Sequence, residues 1–123
     1  MNGSNTILFI IWPLEGGWCY FRYNYPNVAG WRHLAVTYNG SNIRGFANGK
    51  EISGSSYPLS CNGTFLTSSN ESIVIGSTSP TSSWAPFYGQ IDNLRIYTRA
   101  LSSAQIKQHY AEGAKKRGLL AEK

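Results

Sequence analysis

The sequence predicts an all-β sandwich that carries one short helix near its C-terminus. Short runs of β-branched and aromatic residues alternate with clusters of glycine, asparagine and serine, a pattern typical of strands joined by turns. Charged residues make up only 14% of the 123 residues, and aromatic residues also reach 14%. Near the C-terminus the apolar residues change from strand spacing to helical spacing, which predicts the helix.

Two strands are predicted in the N-terminal third. The first is TILFIIW, residues 6–12, whose length indicates a buried strand and falls far short of the roughly 18 apolar residues of a membrane span. The second is WCYFRYNY, residues 18–25, and Pro13 with Gly16-Gly17 turns the chain between them. We therefore expect no membrane span.

The middle of the chain has the clearest strand, WRHLAVTY, residues 31–38. Trp31 opens this strand, so we expect it to be a structural residue of the core. Asn39-Gly40 marks a tight turn, because both residues tolerate positive φ. The run NIRGFANGKEI, residues 42–52, then contains a second hairpin signal at Asn48-Gly49.

The next part of the chain is richer in loops. Residues 53–72 predict a loop, SIVIG at residues 72–76 predicts a short buried strand, and residues 77–86 predict a further loop that carries Trp84. The run GQIDNLRIY, residues 89–97, predicts the last strand.

The helix is predicted over about residues 102–112. Ser102 with Gln105 three residues later has the spacing of a capping box, and Leu101 and Ile106 fit a hydrophobic staple. Gly113 is the expected C-terminal stop, because glycine favours the position that follows a helix. A basic tail, residues 113–123, follows.

That tail explains much of the net charge of +5, so nucleic acid is not an expected partner. The basic residues of the body form no stripe with interleaved aromatic residues. Cys19 and Cys61 permit a disulfide without establishing one. No Cys/His cluster has the spacing of a zinc site.

Two segments together resemble one family. GWRHLAVTYNGSNIRGFANGKEI, residues 30–52, and FYGQIDNLRIYTRALSSAQI, residues 87–106, are similar to the LamG-like jelly-roll domains of the concanavalin A-like lectin/glucanase superfamily. The resemblance implies a concanavalin A-like jelly-roll domain over residues 1–112, without the usual N-terminal strands. The chain departs from the family pattern at Gly45 and Ala47, where members have large apolar residues.

The resemblance implies a non-catalytic carbohydrate-binding or adhesion module of an extracellular or cell-surface protein, with a glycan or polysaccharide as partner. The alternative is a structural module that docks a partner protein, or another domain of the parent chain, through an open sheet edge. A glycoside hydrolase or lyase is less favoured. Hydrolases need paired carboxylates about 5–9.5 Å apart, and the six acidic residues are scattered singly.

An exposed aromatic side chain is the expected feature of a sugar site. Trp84 is the first candidate because it lies in a loop rich in serine and proline, and Phe87 and Tyr57 are the next. The alternative for Trp84 is that it covers the core beneath its loop, since large aromatic side chains bury most of their surface.

Asp92, the only aspartate, lies inside the last predicted strand. Strand alternation places it with Gln90 on the face of Leu94 and Ile96, which is the expected core face. A buried carboxylate needs partners, and three remain open: backbone N–H groups, an arginine, or a calcium ion. The resemblance implies calcium in many family members, so Asp92 and Gln90 are the candidate ligands. No other cofactor is expected.

Overall fold

The computed structural model describes residues 6–11, 19–24, 29–53, 55–57, 74–77 and 87–118. Within these ranges it contains six strands and one helix: β1 (Thr6–Ile11), β2 (Cys19–Asn24), β3 (Leu34–Tyr38), β4 (Ile43–Ala47), β5 (Lys50–Ile52), β6 (Ser55–Tyr57) and α1 (Ser103–Lys116). No helix in this part of the chain is long and apolar enough to cross a membrane.

The strands form two antiparallel three-stranded sheets. One sheet has the order β1-β2-β6 and the other β3-β4-β5. The chain divides into two compact units, residues 1–66 with 99–123 and residues 67–98, and all these strands and the helix belong to the first unit. The prediction of an all-β sandwich with one C-terminal helix is confirmed.

The two sheets meet where β2 crosses β4. Phe21 of β2 is 4% exposed, and a Cβ atom added to Gly45 of β4 would overlap the Phe21 ring. The absence of a side chain at Gly45 therefore makes room for Phe21. This explains the departure from the family pattern at Gly45, because the volume missing from β4 is supplied by the opposite sheet.

The other face of β4 carries Arg44 and Phe46, because successive strand residues point to opposite faces. Phe46 is 1% exposed, and the Arg44 guanidinium lies 5.3 Å from its ring centroid. Arg44 also bonds both carboxylate oxygens of Glu51, at 2.8 and 2.5 Å, and lies 3.4 Å from the hydroxyl of Ser103 at the start of α1. The hydrogen bond from Arg44 lowers the pKa of Glu51. Arg44 thus ties this face to the helix.

The predicted capping box begins α1. The Gln105 N–H donates to the Ser102 hydroxyl at 3.2 Å, and the Gln105 side-chain oxygen accepts from the Ser102 N–H at 2.9 Å. The buried side chains of the helix are Ile106 and Ala114. The hairpin turn between β4 and β5 lies against the helix, because a Cβ on Gly49 would stand 3.0 Å from Cδ2 of Tyr110.

The helix is longer than predicted, and the expected stop at Gly113 is wrong. Gly113 lies inside α1, which continues to Lys116 and buries Ala114 to 4% exposure. Burial of Ala114 offsets the cost of about 1 kcal/mol for a glycine within a helix. The glycine after the helix is Gly118, which has a φ of 67° and donates its N–H to the Lys115 carbonyl at 3.1 Å. The basic tail therefore begins as helix.

Two predictions in the first unit need correction. The segment expected to be a loop contains β6, which pairs with β2. Trp31 does not open β3, which begins at Leu34, and its side chain is 38% exposed and not in the core. The turn before β3 explains the difference, since Gly30 has a φ of 119° and the chain becomes regular only after His33.

The predicted strands in the second unit do not form in the described residues. Residues 74–77 and 87–97 pair with no described strand, and Ile75, Leu94 and Ile96 are 47%, 56% and 63% exposed. The left-handed φ of 55° at Asn93 interrupts the alternation on which the strand prediction depends. Leu94 and Ile96 therefore do not define a core face.

We expect Gly45→Ala to lower the free energy of unfolding by about 1–3 kcal/mol, because the added methyl group collides with the Phe21 ring. Urea denaturation measures the effect. Gly113→Ala is the matched control: nothing lies within 4 Å of its added Cβ, so the helix should gain about 0.5–1 kcal/mol. Equal effects of the two substitutions would contradict the predicted collision.

Candidate ligand-binding surface

The second unit contains an exposed segment that combines aromatic and polar side chains, Phe87–Asn93, called here the 87–93 segment. The Phe87 N–H donates to the Gly76 carbonyl at 2.7 Å, which fixes the start of the segment to residues 74–77. The Phe87 ring folds back over Gly89, where an added Cβ would lie 3.0 Å from Cε1 of the ring. Phe87 is 39% exposed, so the residue whose backbone holds the segment also presents part of its ring to solvent.

Tyr88 is the most exposed aromatic side chain of the segment, at 85%. Such exposure leaves most of an apolar ring in water, where a ligand with an apolar face could cover it. Phe87 is a residue predicted from the sequence, and Tyr88 is not. A signal was present, because adjacent residues of an extended chain point in opposite directions and Phe87 and Tyr88 cannot both face inward.

Polar side chains follow Tyr88 closely. Gln90, Asp92 and Asn93 are all exposed. Because an extended chain spans at most about 3.6 Å per residue, the Cα of Gln90 lies within about 7 Å of that of Tyr88. Amide and carboxylate groups supply hydrogen-bond donors and acceptors for hydroxyl groups. The segment therefore contains an exposed aromatic residue and several exposed hydrogen-bonding residues close together along the chain.

Asp92 occupies a different environment from the one predicted. It is exposed and not on a core face, and its Oδ1 accepts the N–H of Asn93 at 2.8 Å. A backbone N–H, one of the three partners left open, is therefore present. Among the described residues no group of three or more His, Cys, Asp and Glu could hold a metal ion. Calcium binding by Asp92 and Gln90 stays a prediction.

The remaining candidates belong to other parts of the sequence. Trp84 lies outside the described residues, as does Cys61, so their predicted roles stay predictions. Tyr57 is the last residue of β6, which belongs to the first unit of the chain. Of the residues predicted from the sequence, the structure places Phe87, Gln90 and Asp92 in one exposed segment.

Comparisons with known proteins are consistent with the fold. Residues 1–107 match the family model of the concanavalin A-like lectin/glucanases superfamily. A solved structure of an S-layer domain-containing protein from Clostridium thermocellum ATCC 27405, residues 221–444, is similar at a TM-score of 0.52 and 18% identity. The match covers 89% of this chain and 65% of that chain, so this chain spans less than two thirds of that structure. A comparison with curated proteins gives no match.

We expect Asp92→Asn to change the free energy of unfolding by less than about 1 kcal/mol, because asparagine keeps an Oδ1 that accepts the Asn93 N–H. The melting temperature of the wild type should also be the same in calcium and in a chelator. Differential scanning fluorimetry under both conditions tests this. A rise with calcium in the wild type that disappears in Asp92→Asn would instead assign a calcium site to Asp92.

Proposed function

We propose that this chain, which belongs to the concanavalin A-like lectin/glucanases superfamily, is a non-catalytic glycan-binding module of a cell-surface protein. The observation that carries the proposal is the 85% exposure of Tyr88 in a segment that also exposes Gln90, Asp92 and Asn93. The proposed cell-surface location is supported by the fold that this chain shares with an S-layer domain-containing protein, and by nothing else in that similarity.

The chemistry of a sugar fits this segment. A pyranose ring has an apolar C–H face that can stack on Tyr88, and hydroxyl groups at its rim that can bond Gln90 and Asn93. Binding sites commonly combine an aromatic surface with a few polar groups that fix orientation. The aromatic ring supplies most of the buried area, and the amides supply the selectivity.

The carboxylates support a binding role over catalysis. Each of the three described acidic side chains is engaged by a neighbour in its own chain: Glu51 by Arg44, Glu112 by Gln108, and Asp92 by the backbone of Asn93. A glycosidase needs one protonated and one charged carboxyl group on either side of the bond it cleaves. The described carboxylates are committed to local contacts instead.

We expect Tyr88→Ala to weaken binding to a neutral polysaccharide by about tenfold, because a lost aromatic contact is worth on the order of 1.4 kcal/mol. Affinity gel electrophoresis against xylan, mixed-linkage β-glucan and galactomannan identifies a binding polysaccharide and measures the loss.

Tyr88→Phe keeps the ring and should retain binding, and Tyr97→Ala removes an exposed aromatic side chain from outside the segment. A wild type that binds none of the polysaccharides, or equal losses in Tyr88→Ala and Tyr97→Ala, would rule out the Tyr88 surface.

A second candidate function is docking of a partner chain at a sheet edge, and β1 is the observation that favours it. β1 has no charged residue, and no described residue pairs with its outer edge. The edge strand β5 carries Lys50 and Glu51, side chains that protect an edge from pairing. The simplest partner is a second copy, because two β1 strands can pair antiparallel about a twofold axis.

If β1 docks a second copy, light scattering should give the mass of a dimer for the wild type. The Ile10→Lys variant should give the mass of a monomer. Ile10 is 37% exposed, so the lysine charges the strand without entering the core. Ile75→Lys, at a 47% exposed position in the second unit, adds the same charge elsewhere and should leave the dimer intact. A monomeric wild type at high protein concentration would exclude this mode.

A further inference from the structure

The sequence contains several Asn-Gly pairs, and two of them, Asn39-Gly40 and Asn48-Gly49, lie within the described residues. An Asn-Gly pair can modify itself: once the glycine N–H has lost its proton to hydroxide, the nitrogen can attack Cγ of the asparagine. Glycine favours this attack because it has no Cβ to crowd the nitrogen. The two pairs share this local chemistry, so a difference between them comes from the turns that hold them.

The reaction replaces an amide nitrogen with an oxygen and consumes only water. The bond from the glycine nitrogen to Cγ forms, the Cγ–Nδ2 bond breaks, and Nδ2 leaves as ammonia, which closes a succinimide ring. Water then adds to either ring carbonyl and breaks its bond to the nitrogen, which gives aspartate or isoaspartate. Negative charge develops on the asparagine Oδ1 as the ring closes. Hydrogen-bond donors already aimed at that oxygen therefore lower the barrier.

Asn39 lies in the turn between β3 and β4, where its Oδ1 has two such donors. The backbone N–H of Ser41 donates to Oδ1 at 2.9 Å, and that of Asn42 donates to it at 2.7 Å. Both distances fall within the range of about 2.7–3.1 Å found for donors that stabilise an oxyanion. Asn39 is also exposed, so hydroxide and water reach it. The turn thus stabilises the oxygen on which the charge develops.

Asn48-Gly49 is the same pair in the turn between β4 and β5, but contacts from distant parts of the chain hold both residues. The Asn48 N–H donates to the His33 carbonyl at 2.8 Å, and the Asn48 Oδ1 accepts the His33 N–H at 3.0 Å. Gly49 lies under α1, because an added Cβ would stand 3.0 Å from Cδ2 of Tyr110 and 3.4 Å from Cα of Lys107. Ring closure changes the backbone of both residues, so it requires the turn to leave His33 and the helix first.

We propose that Asn39-Gly40 is a self-modification site, at which the β3–β4 turn converts its own asparagine to aspartate or isoaspartate, while the fold protects Asn48-Gly49. The product places a new negative charge on an exposed turn. An aspartate at this position can accept the same N–H groups of Ser41 and Asn42, and hydrogen bonds to a charged acceptor are the stronger ones. The aspartate form therefore keeps the turn.

The test follows both pairs in the full chain, held in mildly alkaline buffer either folded or denatured in guanidinium chloride. Peptide mapping by mass spectrometry with electron-transfer fragmentation measures aspartate and isoaspartate at each pair. In denaturant the two pairs should convert at similar rates. In the folded chain Asn39 should convert at least as fast as in denaturant, because its donors are in place. Asn48 should convert at least about tenfold more slowly than in denaturant, because it reacts only after local opening.

Asn39→Gln is the matched control, since it keeps an amide whose longer side chain would have to close a larger ring. Modification at this position should disappear in that variant, while Asn48 behaves as in the wild type. Asn39→Asp reproduces the product and should melt at or above the wild-type temperature. Conversion of Asn48 as fast as that of Asn39 in the folded chain, or slower conversion of Asn39 in the folded chain than in denaturant, would overturn the proposal. A lower melting temperature for Asn39→Asp would overturn the retention of the turn.

Discussion

The packing of the Phe21 ring against the backbone of Gly45 joins the two sheets, and the rest of the first unit is arranged around it. Because Gly45 has no side chain, Phe21 can be 4% exposed without a larger separation of the sheets. The opposite face of β4 carries Phe46, which is 1% exposed and lies beneath the Arg44 guanidinium. One strand thus separates two small cores, and its alternation determines which residues serve each.

The contacts that were predictable from sequence are those with local causes. The capping box needs only Ser102 and Gln105 at the right spacing, and the hairpin turns need only their Asn-Gly pairs, so both follow from the chain itself. The position at which the helix ends depends on tertiary packing as well as on local sequence. Gly113 and Gly118 carry similar local signals, and only the burial of Ala114 decides between them.

The site was harder to predict because exposure is a property of the folded chain. The pattern of residues 89–97 matches a strand, but a strand also requires a partner, and the backbone at Asn93 breaks the pattern. This changed the environments of Asp92 and Leu94 together. Likewise, Trp31 is a large apolar residue of the kind found in cores, and its contact with Arg117 joins residues that are far apart in sequence. No local rule reports a contact of that range.

The attachment of α1 has a consequence for the order in which this protein opens. The helix meets the rest of its unit through Ser103 at one end, Tyr110 in the middle and Arg117 at the other. It contributes two buried side chains, Ile106 and Ala114. An element held by so few buried groups forms its own cooperative unit, so α1 can detach while the sheets stay paired. Its amide protons should then exchange with solvent before those of β4, and the detached state would release Arg44 from Ser103.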